Sequence, residues 1–169
     1  MNQEATRPAV HHTVNPFVIV PGAAAFIDFV TAVFGATEVT AVRTPDRDGT
    51  LIHAEVILGD STLMLADRKA DWPFTPALLQ VYVEDADEVL ARASDRGGSV
   101  VTPVSPFYGG FDLARFLDPW HNLWWLYAPA ADPRPSGGNG ATDWHHREPS
   151  AVYTTLMATM RELGAPAEG

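Results

Sequence analysis

The stretch IHAEVILGDSTLMLAD, residues 52–67, decides how the rest of the chain is read. Side chains alternate along a strand, so Leu51, His53, Glu55 and Ile57 share one face, and Ile52, Ala54, Val56 and Leu58 the other. The second set is wholly apolar and is expected to face the core. His53 and Glu55 then stand together on the opposite side, about 7 Å apart at Cα. Gly59 and Asp60 suit a tight turn, and residues 62–66 read as the returning strand of a hairpin.

Upstream, residues 13–20 are β-rich, with Pro16 near the start where a missing donor is tolerated. Pro21 and Gly22 end that strand. Phe26, Phe29, Val30 and Val33 then recur at helical spacing over residues 23–34, and Gly35 suits a left-handed stop. A strand over residues 38–43 and a turn over 45–49 lead back to the hairpin, giving a βαβββ unit. Residues 67–76, with two prolines, read as a linker.

Downstream the pattern restarts. Residues 78–83 read as a strand, and residues 85–96 as a helix whose Asp85 and Glu88 suit a capping box and whose Val89, Leu90 and Ala93 face inward. Strands over residues 100–104, 113–117 and 123–127 complete a second βαβββ unit. Counting supports the repeat: Val20 to Gly35 and Val83 to Gly98 are each 15 residues, while Val20 to Leu65 is 45 and Val83 to Leu126 is 43. The expected fold is α+β, two βαβββ modules forming a curved mixed sheet around a cleft, followed by a C-terminal helix. The expected segments are an arm over residues 1–12, modules over 13–67 and 77–128, a Pro/Gly-rich tether over 129–148 and a helix over 149–164 capped by Ser150.

Composition narrows the function classes. The 169 residues carry 21 acidic and 11 basic side chains, a formal charge of −10, and no cysteine. Such acidity argues against nucleic acid and anionic membranes as partners and favours a cationic ligand. No thiolate metal site or cysteine nucleophile is possible. No apolar run approaches the roughly 20 residues that span a bilayer, and no secretory leader is recognisable in the first twenty residues, so a cytoplasmic protein is expected. His11 and His12, adjacent on an extended arm, point opposite ways and read as solvated. Phosphate-binding glycine loops, nucleophile elbows and basic aromatic tracts are absent.

The phrases FIDFVTAVFGA, HAEVILGDSTLMLAD, YVEDADEVLARASDRGG and LDPWHNLWWLYAP, set in paired βαβββ units, resemble the vicinal oxygen chelate superfamily of glyoxalases, bleomycin-resistance proteins and extradiol dioxygenases, most of all its PhnB-like branch. The resemblance covers residues 13–128 and implies a homodimer. It also implies metal ligands on the first and fourth strands of each module, at Asn15, Met64, Leu78 and Trp125. A thioether, an alkyl chain and an indole are poor ligands for a divalent metal, so no metal and no cofactor are expected.

Candidate site residues follow from the faces. His53 suits a general base with Glu55 orienting it, or the two form a structural pair with Arg115 or Gln80. Arg115 alternates with Ala114 and Phe116 and should reach the cleft, to hold an anion or to pair with Glu55 or Asp112. Trp124 and Trp125 point to opposite faces, and positional mapping puts Trp125 in the cleft. With Phe17, Tyr82, Tyr108 and Trp72 it could sandwich a planar ligand, while Asn15, Met64 and Gln80 complete the walls. His121 reads as an exposed turn residue. The leading expectation is a small-molecule binding protein for an aromatic or cationic ligand in an acidic cleft, without the usual metal. The alternative is a metal-independent lyase or isomerase with His53 as base and Arg115 or Tyr108 at the developing negative charge. A regulatory or interaction module with no small ligand is the third reading.

Overall fold

The computed structural model describes residues 12–130 and 149–164. The arm over residues 1–11 and the tether over 131–148 lie outside the described residues. The chain divides into two compact units, one running to Thr75 and the other starting at Pro76.

Unit 1 contains β1 (Phe17–Val20), α1 (Ala23–Phe34), β2 (Thr37–Glu38), β3 (Thr44–Pro45), β4 (Leu51–Leu58) and β5 (Ser61–Asp67). The sheet order is β1-β5-β4-β2, with β3 also pairing β4; β1 and β5 are parallel, β5 and β4 antiparallel. Phe26, Phe29, Val30 and Val33 of α1 are buried, as are Val18, Val20, Ala54, Val56, Leu63 and Leu65 of the sheet. Strand alternation puts those sheet residues on the face that α1 covers. Gly22 and Gly35 bound the helix at positive φ of 80° and 72°, a conformation in which glycine carries no Cβ penalty. Since Gly22 has no side chain to cap with, Asp67 supplies the acceptor from the end of β5. Its Oδ1 accepts from the N–H groups of Gly22 and Ala23, both at 2.8 Å, and its Oδ2 from Leu51 N–H at 2.6 Å.

Two expectations are corrected here. The strand expected over residues 38–43 breaks after Glu38 into a 3-10 turn, Thr40–Val42. Val42 N–H and Arg43 N–H turn inward onto Val39 and Thr40 carbonyls instead of continuing the ladder, and Arg43 folds back onto the Glu38 carboxylate at 2.9 Å. Ile52 shares the helix-side face by alternation yet is 47% exposed, while Leu51 beside it is buried.

Unit 2 repeats the plan with β6 (Leu78–Tyr82), α2 (Ala86–Ser94), β7 (Ser99–Pro106), β8 (Phe111–Leu117) and β9 (Leu123–Pro129), followed by α3 (Ala151–Glu162). Its sheet order, β6-β9-β8-β7, is that of unit 1 strand for strand, so each unit has its own mixed sheet. Asp85 caps α2 by accepting from Glu88 N–H at 2.9 Å, while the Glu88 side chain pairs with Arg92 one turn on. The buried carboxylate of Asp118 fixes the β8–β9 turn. It accepts from the N–H groups of Trp120 and Asn122, from Asn122 Nδ2 and from Trp124 Nε1, all at 2.9 Å. Burial nevertheless pushes its carboxyl above the usual range, against the pull of those donors.

No helix among the described residues is long and apolar enough to cross a membrane.

Candidate functional site

In each unit the candidate side chains stand on the sheet face opposite the helix. In unit 1 the register sets Phe17, Met64 and Glu55 side by side on β1, β5 and β4. His53 stands two residues before Glu55, and its Nε2 lies 3.0 Å from Glu55 Oε1. Glu55 is 5% exposed. A carboxylate only accepts, so Nε2 carries the proton of this bond, and Nδ1 of a neutral His53 is then the acceptor nitrogen. The Phe17 ring lies 6.3 Å from the imidazole, tilted by 47°. Asn15 precedes β1 and turns away from the sheet: its amide oxygen accepts from His12 N–H at 3.0 Å, and its Nδ2 donates to the His12 carbonyl at 2.8 Å. His12 in turn holds the Asp60 carbonyl through Nε2 at 2.6 Å.

In unit 2 the equivalent row is Gln80, Trp125 and Arg115 on β6, β9 and β8. Arg115 is 2% exposed, and its guanidinium carbon lies 4.0 Å from the Trp125 ring centroid. Its Nη1 donates to Thr102 Oγ1 at 3.2 Å and to the Val152 carbonyl in the first turn of α3 at 2.7 Å. Thr155 Oγ1 lies 2.7 Å from both Thr102 Oγ1 and the Ala151 carbonyl. The carbonyl can only accept, so Thr155 donates to it, Thr102 donates to Thr155, and a directed chain runs from Arg115 into α3. Further along, His121 Nδ1 donates to the Gly164 carbonyl at 2.6 Å. His121 is the one non-glycine residue at positive φ among the described residues, at 63°. It is thus more than the exposed turn residue expected from the sequence, since it fastens the chain just past α3.

The Arg115 environment is incompletely satisfied. Its Nε and Trp125 Nε1 are buried donors with no hydrogen-bond partner among the described residues. Each orphaned donor costs about 1–3 kcal/mol, set against about 2 kcal/mol from a desolvated cation on an indole. Burial also pulls the Arg115 guanidinium below its ordinary value, with only Tyr127 pulling the other way among the described residues.

One residue pair along β9 from Trp125, rings gather on the same face. Tyr127 lies 5.5 Å from Tyr82, 5.8 Å from Phe107 and 6.4 Å from Phe111; Phe107 lies 4.9 Å from Tyr108. Tyr82 is 66% exposed and Tyr108 half-exposed. Gln80 Nε2 donates to the Tyr82 hydroxyl at 3.2 Å. Burial raises the Tyr127 phenol, and the Arg115 charge pulls the other way.

The structure therefore joins His53 with Glu55 and Phe17, Arg115 with Trp125, and Tyr82 with Gln80 and, through Tyr127 and Phe107, with Tyr108. Tyr127, Phe107 and Phe111 were missed in the sequence, although alternation places Tyr127 with Trp125 and Phe111 with Arg115. The four slots that the resemblance assigns to a metal offer an amide committed to backbone, a thioether, an alkyl chain and an indole N–H, a donor set that does not fit a divalent ion. The register also shows that the first-strand residues level with Met64 and Trp125 are Phe17 and Gln80, not Asn15 and Leu78.

A sequence profile of the Glyoxalase/Bleomycin resistance protein/Dioxygenase superfamily matches residues 9–126. The chain belongs to this superfamily. An uncharacterised protein of Mycobacterium bovis is 31% identical over 134 residues, covering 73% of this chain and 87% of its own length. Among solved structures, TioX from Micromonospora sp. ML1 superposes with a TM-score of 0.55 at 21% identity, covering 72% of this chain and 98% of its own. The fosfomycin resistance protein FosX from Listeria monocytogenes gives 0.57 at 16%, over 73% and 98%, and the PhnB protein of Bacillus cereus 0.55 at 22%, over 69% and 99%. At these identities the structural likeness shows the fold alone.

Proposed function

We propose that the protein binds a small aromatic molecule, without the metal centre that the superfamily resemblance implies. The observation that carries this reading is the group of rings on the open face of unit 2, where Tyr82 and Tyr108 stay exposed beside Tyr127, Phe107 and Phe111. Rings held by one another in tilted and edge contacts present apolar area without losing much side-chain freedom on binding. The donor chemistry at Asn15, Met64, Leu78 and Trp125 supports metal independence. A cationic ligand keeps support from the charge of −10, but the Trp125 ring already carries Arg115. The same reading takes the protein to be a cytoplasmic homodimer, with residues 13–128 as its binding domain and Gln80 as a further wall residue.

Titration with 2-phenylethanol, followed by tryptophan fluorescence, tests it. Tyr82→Ala should weaken binding by roughly tenfold, the scale of about one aromatic contact, and His53→Ala by less than about twofold. Equal binding by wild type and Tyr82→Ala overturns the assignment.

A second reading, a metal-independent lyase or isomerase, is favoured by the His53–Glu55 bond. A carboxylate that fixes one ring nitrogen as donor leaves the other as a base. It requires turnover that disappears in His53→Ala while fold and affinity persist.

A further inference from the structure

We propose that Arg115 and Trp125, together with the Tyr127 ring group, form a site for an aromatic carboxylate, and that α3 occupies the Arg115 end of that site when no ligand is bound. This rests on the aromatic-binding reading and adds the chemistry of the ligand's polar end.

Three observations on unit 2 converge. First, Arg115 is buried with no carboxylate partner among the described residues: its Nη1 is spent on a hydroxyl and a peptide carbonyl, and its Nε meets no acceptor there. A guanidinium presents its donors as a planar fork that matches a carboxylate with two parallel bonds, and a single carbonyl cannot fill that fork. Second, the neighbouring orphan is also a donor. Trp125 Nε1 lacks an acceptor on the same sheet face, so two unmet donors side by side call for one acceptor-rich group. Third, Tyr127 follows Trp125 by two residues on the same face of β9, about 7 Å along the strand, so an arylacetate, about that long from the far ring edge to the carboxylate oxygens, can reach from the Tyr127, Tyr82 and Phe111 rings toward Arg115.

α3 is held in a way that suits displacement. Val152 is its one buried side chain, and three hydrogen bonds tie it down: Arg115 to the Val152 carbonyl, Thr102 to Thr155, and His121 to the Gly164 carbonyl just beyond its end. The Val152 carbonyl stands in for one carboxylate oxygen. A carboxylate arriving at Arg115 replaces a neutral acceptor with a charged one, and the helix leaves the guanidinium.

The test compares phenylacetate, 2-phenylethanol and 2-phenylethylamine on the full chain, by calorimetry and by hydrogen exchange of the residue 151–162 amides. Phenylacetate should bind roughly tenfold or more tighter than the alcohol, and the amine weakest. Arg115→Gln should remove that preference. His121→Gly, which keeps the positive φ but frees the chain end, and Thr155→Val should each tighten phenylacetate by roughly fivefold, as loss of a competing internal occupant demands. Saturating phenylacetate should speed exchange in α3. Should Arg115→Gln fail to fold, His121→Gly and Thr155→Val decide: unchanged or weakened phenylacetate binding in both overturns the proposal. Equal binding of phenylacetate and the alcohol overturns it while leaving the aromatic reading standing, and no binding of any of the three overturns both.

Discussion

The two units share one strand order and fill matching positions with opposite chemistry. Level with one another on their own sheets stand Phe17, Met64 and Glu55 in unit 1, and Gln80, Trp125 and Arg115 in unit 2. A buried anion beside an imidazole occupies the first; a buried cation on an indole, with α3 against it, occupies the second. Identical topology therefore dictates where side chains point but not what they do there. The units also differ in what pins them. A carboxylate at the end of β5 holds the start of α1 in unit 1, and a carboxylate in the β8–β9 turn holds the turn itself in unit 2.

The largest effect should come from those pins. Asp118→Ala strands four donors, three of them buried, and should cost on the order of 3–5 kcal/mol by urea denaturation. Asp67→Ala strands three and should cost about 2–4 kcal/mol. If the second exceeds the first, the unit 1 pin is the stronger and the ranking reverses. Next come the central charges. His53→Ala leaves the buried Glu55 carboxylate without its imidazole and should destabilise by about 1–2 kcal/mol. Arg115→Met removes a buried cation that has no carboxylate partner among the described residues and should stay within about 1 kcal/mol of wild type, despite being almost fully buried. A large loss in Arg115→Met would mean that the hold on α3 outweighs the desolvation of the guanidinium.

The smallest effect is in pH dependence, where the two units have opposite signs. Lys69 pairs with Asp46 at 2.7 Å and with Asp48 at 2.9 Å, holding both carboxyls below their ordinary value of 3.8, Asp48 chiefly through its bond to Thr50. A lowered folded value adds stability above pH 3.8 that is lost as pH falls through it, so Lys69→Met should flatten the acid limb of a urea-midpoint profile. Asp118 is shifted upward, so its protonated form adds stability below 3.8 that is lost as pH rises through the folded value. Asp118→Ala should lack that decline.

Much of the fold was legible because periodicity is local. The hairpin turn at Gly59, α1 with its Gly35 stop, Asp85 as the α2 cap and Ser150 as the α3 cap all follow from short-range chemistry. The His53–Glu55 pair was readable for the same reason, since alternation alone brings the two together. What sequence reasoning missed depends on contacts distant along the chain. Asp67 looked like the first residue of a linker because the donors it satisfies lie 16 to 45 residues away. Arg115 looked open to a cleft because nothing local shows a helix 37 residues later placing the Val152 carbonyl against it. The break after Glu38 was hidden by β-favouring residues that turn onto their own carbonyls although β4 runs on beside them.

The loop formed by Asp46, Asp48 and Thr50 encloses the Lys69 ammonium in oxygen, with Thr50 Oγ1 at 2.6 Å. Spaced as Asp-x-Asp-Gly-Thr, such oxygens are a natural lure for a dissolved calcium ion, yet here the counter-ion arrives on the chain itself. A tethered ammonium competes at an effective concentration that a free ion at ordinary levels does not reach. The loop's order should therefore be indifferent to chelators, and hard water should leave it unchanged.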